Sequence, residues 1–302
     1  MSKTIAIQLS DIHISTCPPA RANEPDWFAA MARPLDEVKR LVDAYNCPVL
    51  CAGDVFDKYS ASPELINWAI DHLPKVIAIP GQHDLPLHSL EDIGRSAFWT
   101  LVQANVITPI IDPSDNMVRA GENLVVHGFP YGVNVKPCEM DNDLHVALIH
   151  SYVWNGKHHY PGAPKDQNIL EWKDRLAGYD VAVFGDNHDY WNTPLGSTDV
   201  FNCGCLIPRK SDERKYKPSV GLLHDNGVVY RHFLDCSQDK WVDTPESEPI
   251  KIEGGMEEFL DGLRELSADS LDFRQAVNRY MEENDKKIGA QIKAILTEAM
   301  ED

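Results

Sequence analysis

The chain has 302 residues and a formal net charge of −19, with 47 acidic residues against 28 basic ones and 43% hydrophobic content. That length supports one large domain, or one domain with an appendage, and the acidity excludes a protein that coats nucleic acid by charge alone. No apolar run approaches the roughly 20 residues that span a bilayer, so the reading is a soluble, cytoplasmic chain with no membrane partner. Seven cysteines (Cys17, Cys47, Cys51, Cys138, Cys203, Cys205, Cys236) are scattered without framework spacing and read as reduced thiols. Cys203 and Cys205 read as small strand residues, because no second Cys pair completes a zinc site.

In chain order, the first element is a strand over Ile5–Leu9, too short for a signal peptide and running straight into Asp11 and His13. Phe28, Met31, Leu35, Val38, Leu41, Val42 and Tyr45 form a helical stripe with Asp26 as N-cap, and Pro34 predicts a kink or restart within it. A strand over Pro48–Cys51 follows. Ser62-Pro63-Glu64 then starts a second helix by supplying a cap, a proline at N1 and a first-turn acid, with Leu65, Ile66, Ala69, Ile70 and Leu73 facing the core.

Val76–Ile79, Leu124–His127, Val146–Ile149 and Val181–Phe184 are continuous apolar runs that suit strands buried on both faces. Val200–Asn202, Val220–His224 and Val228–Leu234 are later strands, the last two joined by a hairpin at Asn226-Gly227. Strand–loop–helix alternation makes the fold class α/β. The first domain spans 1–243. Thr244-Pro245-Glu246-Ser247-Glu248-Pro249 reads as a linker, and 244–302 as that linker plus acidic C-terminal helices, which pack on their own domain or dock on a partner.

Reactive residues recur where strands end: Asp11 and His13, Asp54 and Asp57, Gln82-His83-Asp84, His150, then Asp186 and His188. Loops at the carboxyl ends of strands converge on a crevice in open α/β sheets, so five such clusters predict one polynuclear metal site. Taken singly, Asp11 and His13 also read as a helix-capping pair, and His150 as a satisfied core histidine. His127, His145, His158, His159 and His224 lie outside the motifs and read as structural or surface residues. The loop with Trp154, His158, His159 and Tyr160 reads either as an ordinary packing loop or as a platform for nucleic-acid bases. A basic segment over 209–217, led by Arg209 and Lys210, reads equally as a phosphate-holding, substrate-binding loop and as a solvated one.

Asp11-Ile12-His13, Gly53-Asp54-Val55-Phe56-Asp57, Gly81-Gln82-His83-Asp84, His150 and Gly185-Asp186-Asn187-His188 together resemble the calcineurin-like metallophosphoesterases, whose signature runs D-x-H, G-D-x-x-D, G-N-H-D, H, G-H-x-H. The resemblance covers roughly residues 3–235. It implies a two-sheet β-sandwich flanked by helices (αββα) with a C-terminal helical appendage, the late strands around 200–234 serving as part of a cap. It also implies two divalent metal ions, Mn²⁺ first, with Mg²⁺, Fe or Zn²⁺ as alternatives. Asp11, His13 and His188 would hold the first ion. Asp54 would bridge, and His150 with Gln82 and Asp186 would hold the second. A metal-bridging hydroxide would attack phosphorus, with His83 stabilising charge or protonating the leaving group, Asp57 orienting His83, and Asp84 fixing its loop.

Gln82 stands where the family has Asn, and Asp186 where it has His. Both belong to the second ion, which is therefore either shifted toward a harder cation or weakened.

Within the superfamily the chain is most similar to SbcD-type DNA repair nucleases and their phage relatives, through the Gly53–Lys58 and Ile79–Leu85 stretches and Phe201-Asn202-Cys203-Gly204. That similarity implies a DNA nuclease, a homodimer and an SbcC-like ATPase partner. A phosphoesterase for nucleotides or other small phosphoesters, and a metal-impaired phosphate- or nucleic-acid-binding module, are the competing readings.

Overall fold

The computed structural model describes residues 2–18, 22–112, 116–139, 141–156, 158–159, 162–207 and 216–241. The chain divides into two compact units, Met1–Val242 and Asp243–Asp302. The proposed C-terminal helices, Arg209 and Lys210 lie outside the described residues. Among those described, no helix is long and apolar enough to cross a membrane.

Among the described residues, the first unit holds two six-stranded sheets. Sheet 1 is built from β1 (Thr4–Leu9), β2 (Val49–Cys51), β3 (Val76–Ala78), β4 (Ile107–Pro109), β11 (Ser219–His224) and β12 (Val229–Phe233), in the order β12-β11-β1-β2-β3-β4. Sheet 2 is built from β5 (Met117–Gly121), β6 (Leu124–Phe129), β7 (Leu144–His150), β8 (Val181–Gly185), β9 (Trp191–Leu195) and β10 (Thr198–Asn202), in the order β5-β6-β7-β8-β10-β9. β1 through β4 run parallel, as do β6, β7, β8 and β10. The strands around 200–234 pair within the two sheets: β10 sits between β8 and β9, and β11 between β1 and β12. Their alternating apolar residues face the inter-sheet core, where Phe201 and Leu223 are fully buried.

Helices α1 (Trp27–Tyr45), α2 (Pro63–His72) and α3 (Ala97–Gln103) cover sheet 1 through Met31, Leu35, Val38, Leu65, Ala69 and Phe98. Asp26 caps α1 by accepting from the Ala29 amide (3.0 Å), and Ser62 caps α2 by accepting from Leu65 (3.2 Å). α1 runs on through Pro34 without a restart. The proline deletes one amide donor, while Met31, Leu35 and Val38 anchor the flanking turns in the core. The outer face of sheet 2 is covered by 3₁₀ turns at Lys165–Gln167 and Ile169–Trp172, which press Ile169 and Trp172 against Phe184 and Ala182.

Phe201 fills the space between the sheets and meets Tyr190 edge-on at 5.4 Å. Phe201→Ala is expected to cost about 3–5 kcal/mol by combining lost burial with a residual cavity. Urea unfolding monitored by circular dichroism measures it, and a change below about 1 kcal/mol would contradict this packing.

Candidate metal centre

The carboxyl ends of β1, β2 and β3 from one sheet and β7 and β8 from the other deliver their loops to one point. The first two loops are locked together beyond the strands. Asp11 and His13 amides donate to the Gly53 and Asp54 carbonyls (both 3.0 Å), Ile14 donates to Val55 (2.9 Å), and Asp57 donates back to Ile14 (3.1 Å). Asp11, His13, Asp54 and Asp186 all adopt positive φ (51°, 51°, 53° and 82°). Each left-handed residue of this kind costs on the order of 1–3 kcal/mol, and such strain clusters where side chains must be aimed.

On one side of the cluster, His13 Nε2 lies 3.2 Å from His188 Nε2, 3.9 Å from Asp11 Oδ1 and 3.8 Å from Asp54 Oδ2. His188 Nε2 lies 3.9 Å from Asp11 Oδ1. On the other side, His150 Nε2 lies 3.5 Å from Asp54 Oδ2 and 2.6 Å from Gln82 Oε1. His150 Nδ1 donates to the Ala52 carbonyl (2.7 Å), which fixes the ring and turns Nε2 inward. Asp54 thus reaches both groups through one oxygen. Its Oδ2 is buried and has no hydrogen-bond partner, while its Oδ1 accepts from the His83 amide (3.0 Å).

Gln82 and Asp186, the two departures from the signature, bond to each other. Gln82 Nε2 donates to Asp186 Oδ1 (2.7 Å) while its Oε1 faces His150. The added methylene lets one amide serve both neighbours. The Asp186 amide in turn donates to the Asp11 carboxylate (3.0 Å to Oδ1).

The electrostatics describe a place for a cation. Burial pushes Asp11 up to about 6, against the pull of His188 and His150. Burial also opposes charge on Asp54, yet the His150, His13 and His83 imidazoles hold its carboxyl well below the usual range. Burial disfavours an imidazolium at His150, but Asp54, then Asp11 and Asp186, raise it to about 10. A proton on His150 therefore supplies positive charge that the buried carboxylates require. An orphaned carboxylate oxygen, imidazoles converging from both sides and mixed oxygen and nitrogen donors fit two divalent cations with Asp54 between them.

His83 stands at the mouth with its side chain 43% exposed. The Asp57 backbone carbonyl accepts from its Nδ1 at 2.7 Å, and the Asp57 carboxylate, expected to orient it, lies 4.0 Å from His83 Nδ1 and 3.9 Å from His13 Nδ1. The loop pairing that continues β1 and β2 holds the Asp57 backbone beside His83 and directs its side chain toward both rings.

Asp84 accepts from the Val55, Phe56 and Gly81 amides (3.1, 3.0 and 3.0 Å). Burial first, then Asp54, push its carboxyl up to about 7 against those three donors. Asp84→Asn exchanges an acceptor for a donor facing backbone N–H groups, and is expected to cost about 1–3 kcal/mol of stability. Thermal denaturation measures it.

Sequence reasoning missed the supports. A Cβ at Gly81 would lie 2.1 Å from Asp54 Oδ1 and 2.6 Å from His150 Nε2, so only glycine fits there. Asn187 donates to the Val153 and His158 carbonyls (2.9 and 3.0 Å), tying the aromatic loop to the centre, and Asn202 donates to the Asn187 and Asp189 carbonyls (2.7 and 2.6 Å). Within that loop, Trp154 and His159 rings lie 4.8 Å apart. Gly81, Asn187 and Asn202 all stand in the quoted motifs, but as residues with no role assigned to them.

The calcineurin-like phosphoesterase family matches residues 6–190, and the chain belongs to that family. Several solved structures are similar. One is an archaeal phosphodiesterase, 15% identical, covering 78% of this chain and 100% of its own, TM-score 0.41. Another is the calcineurin-like phosphoesterase YfkN from Bacillus subtilis, 10% identical, covering 80% and 90%, TM-score 0.41. A third is the Haemophilus influenzae NAD nucleotidase, 16% identical, covering 93% and 60%, TM-score 0.41. None of the curated proteins compared matches the chain.

Proposed function

We propose that this chain hydrolyses phosphodiester bonds with two divalent cations, Mn²⁺ above all, and that its substrate is DNA. The observation that carries the reaction is the Asp54 Oδ2 atom, buried, without a hydrogen bond, and 3.8 and 3.5 Å from imidazoles on opposite sides. When bound, paired cations neutralise phosphate charge and activate water at neutral pH. The protein's own contribution is placement. Asp11, His13 and His188 would hold one cation, Gln82, His150 and Asp186 the other, with Asp54 shared. The extra carboxylate of Asp186 and the amide oxygen of Gln82 favour a hard ion over Zn²⁺.

His83 works at the mouth. Its Nδ1–H is committed to the Asp57 carbonyl, so proton exchange is confined to Nε2. In the imidazolium form it donates that proton to the departing oxygen. DNA as substrate is supported by the motif-level similarity to SbcD-type nucleases and by the Trp154–His159 pair, whose loop Asn187 ties to the centre. The net charge of −19 favours the second reading, a small phosphoester.

A substrate panel with Mn²⁺ separates the two readings. Cleavage of single- or double-stranded DNA supports the first. Hydrolysis of bis-para-nitrophenyl phosphate or nucleotides with DNA left intact supports the second. No turnover of any phosphoester would overturn both.

A further inference from the structure

A second group of metal-ligating side chains lies outside the motifs. His127 on β6 and His145 on β7 project from the same face of sheet 2, because His145 pairs with Val125, two residues before His127. Cys138, from the connection between these strands, closes the group. Cys138 Sγ lies 3.6 Å from His127 Nε2 and 3.4 Å from His145 Nδ1, and the two ring nitrogens lie 2.9 Å apart. Tetrahedral zinc, with Zn–S near 2.3 Å and Zn–N near 2.0–2.1 Å, spaces its donors by roughly 3.3–3.6 Å. Only the imidazole pair must open, by a few tenths of an ångström.

Three further observations mark a built site. The Asp141 carboxylate accepts from His145 Nε2 at 2.9 Å, which fixes the tautomer that leaves Nδ1 free to ligate. Both imidazoles are buried, and Tyr179 packs edge-on against His127 at 5.2 Å. The Cys138 backbone is pinned: its amide donates to Ala177 (2.9 Å), and its carbonyl crowds Gly178, where a Cβ would approach to 1.9 Å. Gly178 has φ +88°, so glycine is required twice over. Beside the three donors opens a cavity of about 590 Å³ that Asn134, Lys136 and Glu139 help to line. It leaves room for a fourth, exchangeable ligand.

We propose that His127, Cys138 and His145 bind one Zn²⁺, with Asp141 as the carboxylate behind His145 and an open fourth position toward the cavity. A thiolate with two imidazoles selects a softer ion than the oxygen-rich centre around Asp54 does. The site lies five residues before His150 on β7, roughly 16 Å along the strand, and is therefore separate from that centre. It clamps the connection that runs from Pro130 to Asp143.

Cobalt titration of the full-length, chelator-stripped, reduced protein tests this. Among the described residues, only this group places a thiol with imidazoles, so a thiolate-to-cobalt charge-transfer band in the near ultraviolet reports it alone. The band should saturate at about one equivalent, vanish on adding Zn²⁺, survive Asp54→Asn and disappear in Cys138→Ser and His127→Gln. A Co²⁺-loaded protein without the band, or a band persisting in Cys138→Ser, overturns the proposal. Alkylation mapping of the unmutated chain gives a check free of folding artefacts: Zn²⁺ should slow modification of Cys138 at least tenfold, and no protection counts against the site.

Discussion

Asp54→Asn should remove phosphodiester hydrolysis while leaving the fold in place. The substitution keeps Oδ1 as an acceptor for the His83 amide and keeps the side-chain volume, so the loop after β2 retains its 3.0 Å anchor. What it removes is the negative charge at Oδ2, the oxygen that faces His13 and His150 from between them. Without an anion there, two cations repel each other without compensation. Loss of a preorganised electrostatic group of this kind lowers turnover by up to about 10³-fold. Metal content after gel filtration should fall from about two equivalents of Mn²⁺ to one or fewer. Retention of both full turnover and both metal equivalents would sink the proposed function.

His83→Ala carries the second large effect, and it should divide differently. His83 is placed by its own backbone and by the Asp57 carbonyl, and its ring meets His13 edge-on at 5.0 Å. Its removal should leave the metal content unchanged. Loss of a positioned acid lowers kcat by about 10²–10⁴-fold. The loss should be largest for substrates whose leaving alkoxide needs a proton, such as DNA, and much smaller for para-nitrophenyl esters, whose phenolate departs unaided. Equal losses on both substrates would show that His83 acts by holding charge rather than by delivering a proton.

The interior strands were legible in the sequence because they are buried on both faces. β1, β6, β7 and β8 carry uninterrupted Ile, Val, Leu and Ala runs, and their residues are buried almost throughout. The strands that sequence reading missed, β4, β5 and β9, all stand at sheet edges. β5 alternates between exposed and half-buried residues, β9 contains Pro194, and β4 reads Ile-Thr-Pro with one buried residue, so none presents a hydrophobic run. The centre was legible as residue types at strand ends, because chemistry fixes those types. Which atom orients His83 was not legible, since a backbone carbonyl leaves no mark in the sequence. The bond between Gln82 and Asp186 was not legible either: 104 residues separate them, and only the meeting of the two sheets brings them together.

That bond ties the two positions together. Shortening Gln82 alone would strand the Asp186 carboxylate, and replacing Asp186 alone would leave the Gln82 amide hydrogens without their acceptor. Either replacement alone therefore breaks the 2.7 Å contact between them. The two positions are therefore energetically coupled, and the effects of replacing each should not add.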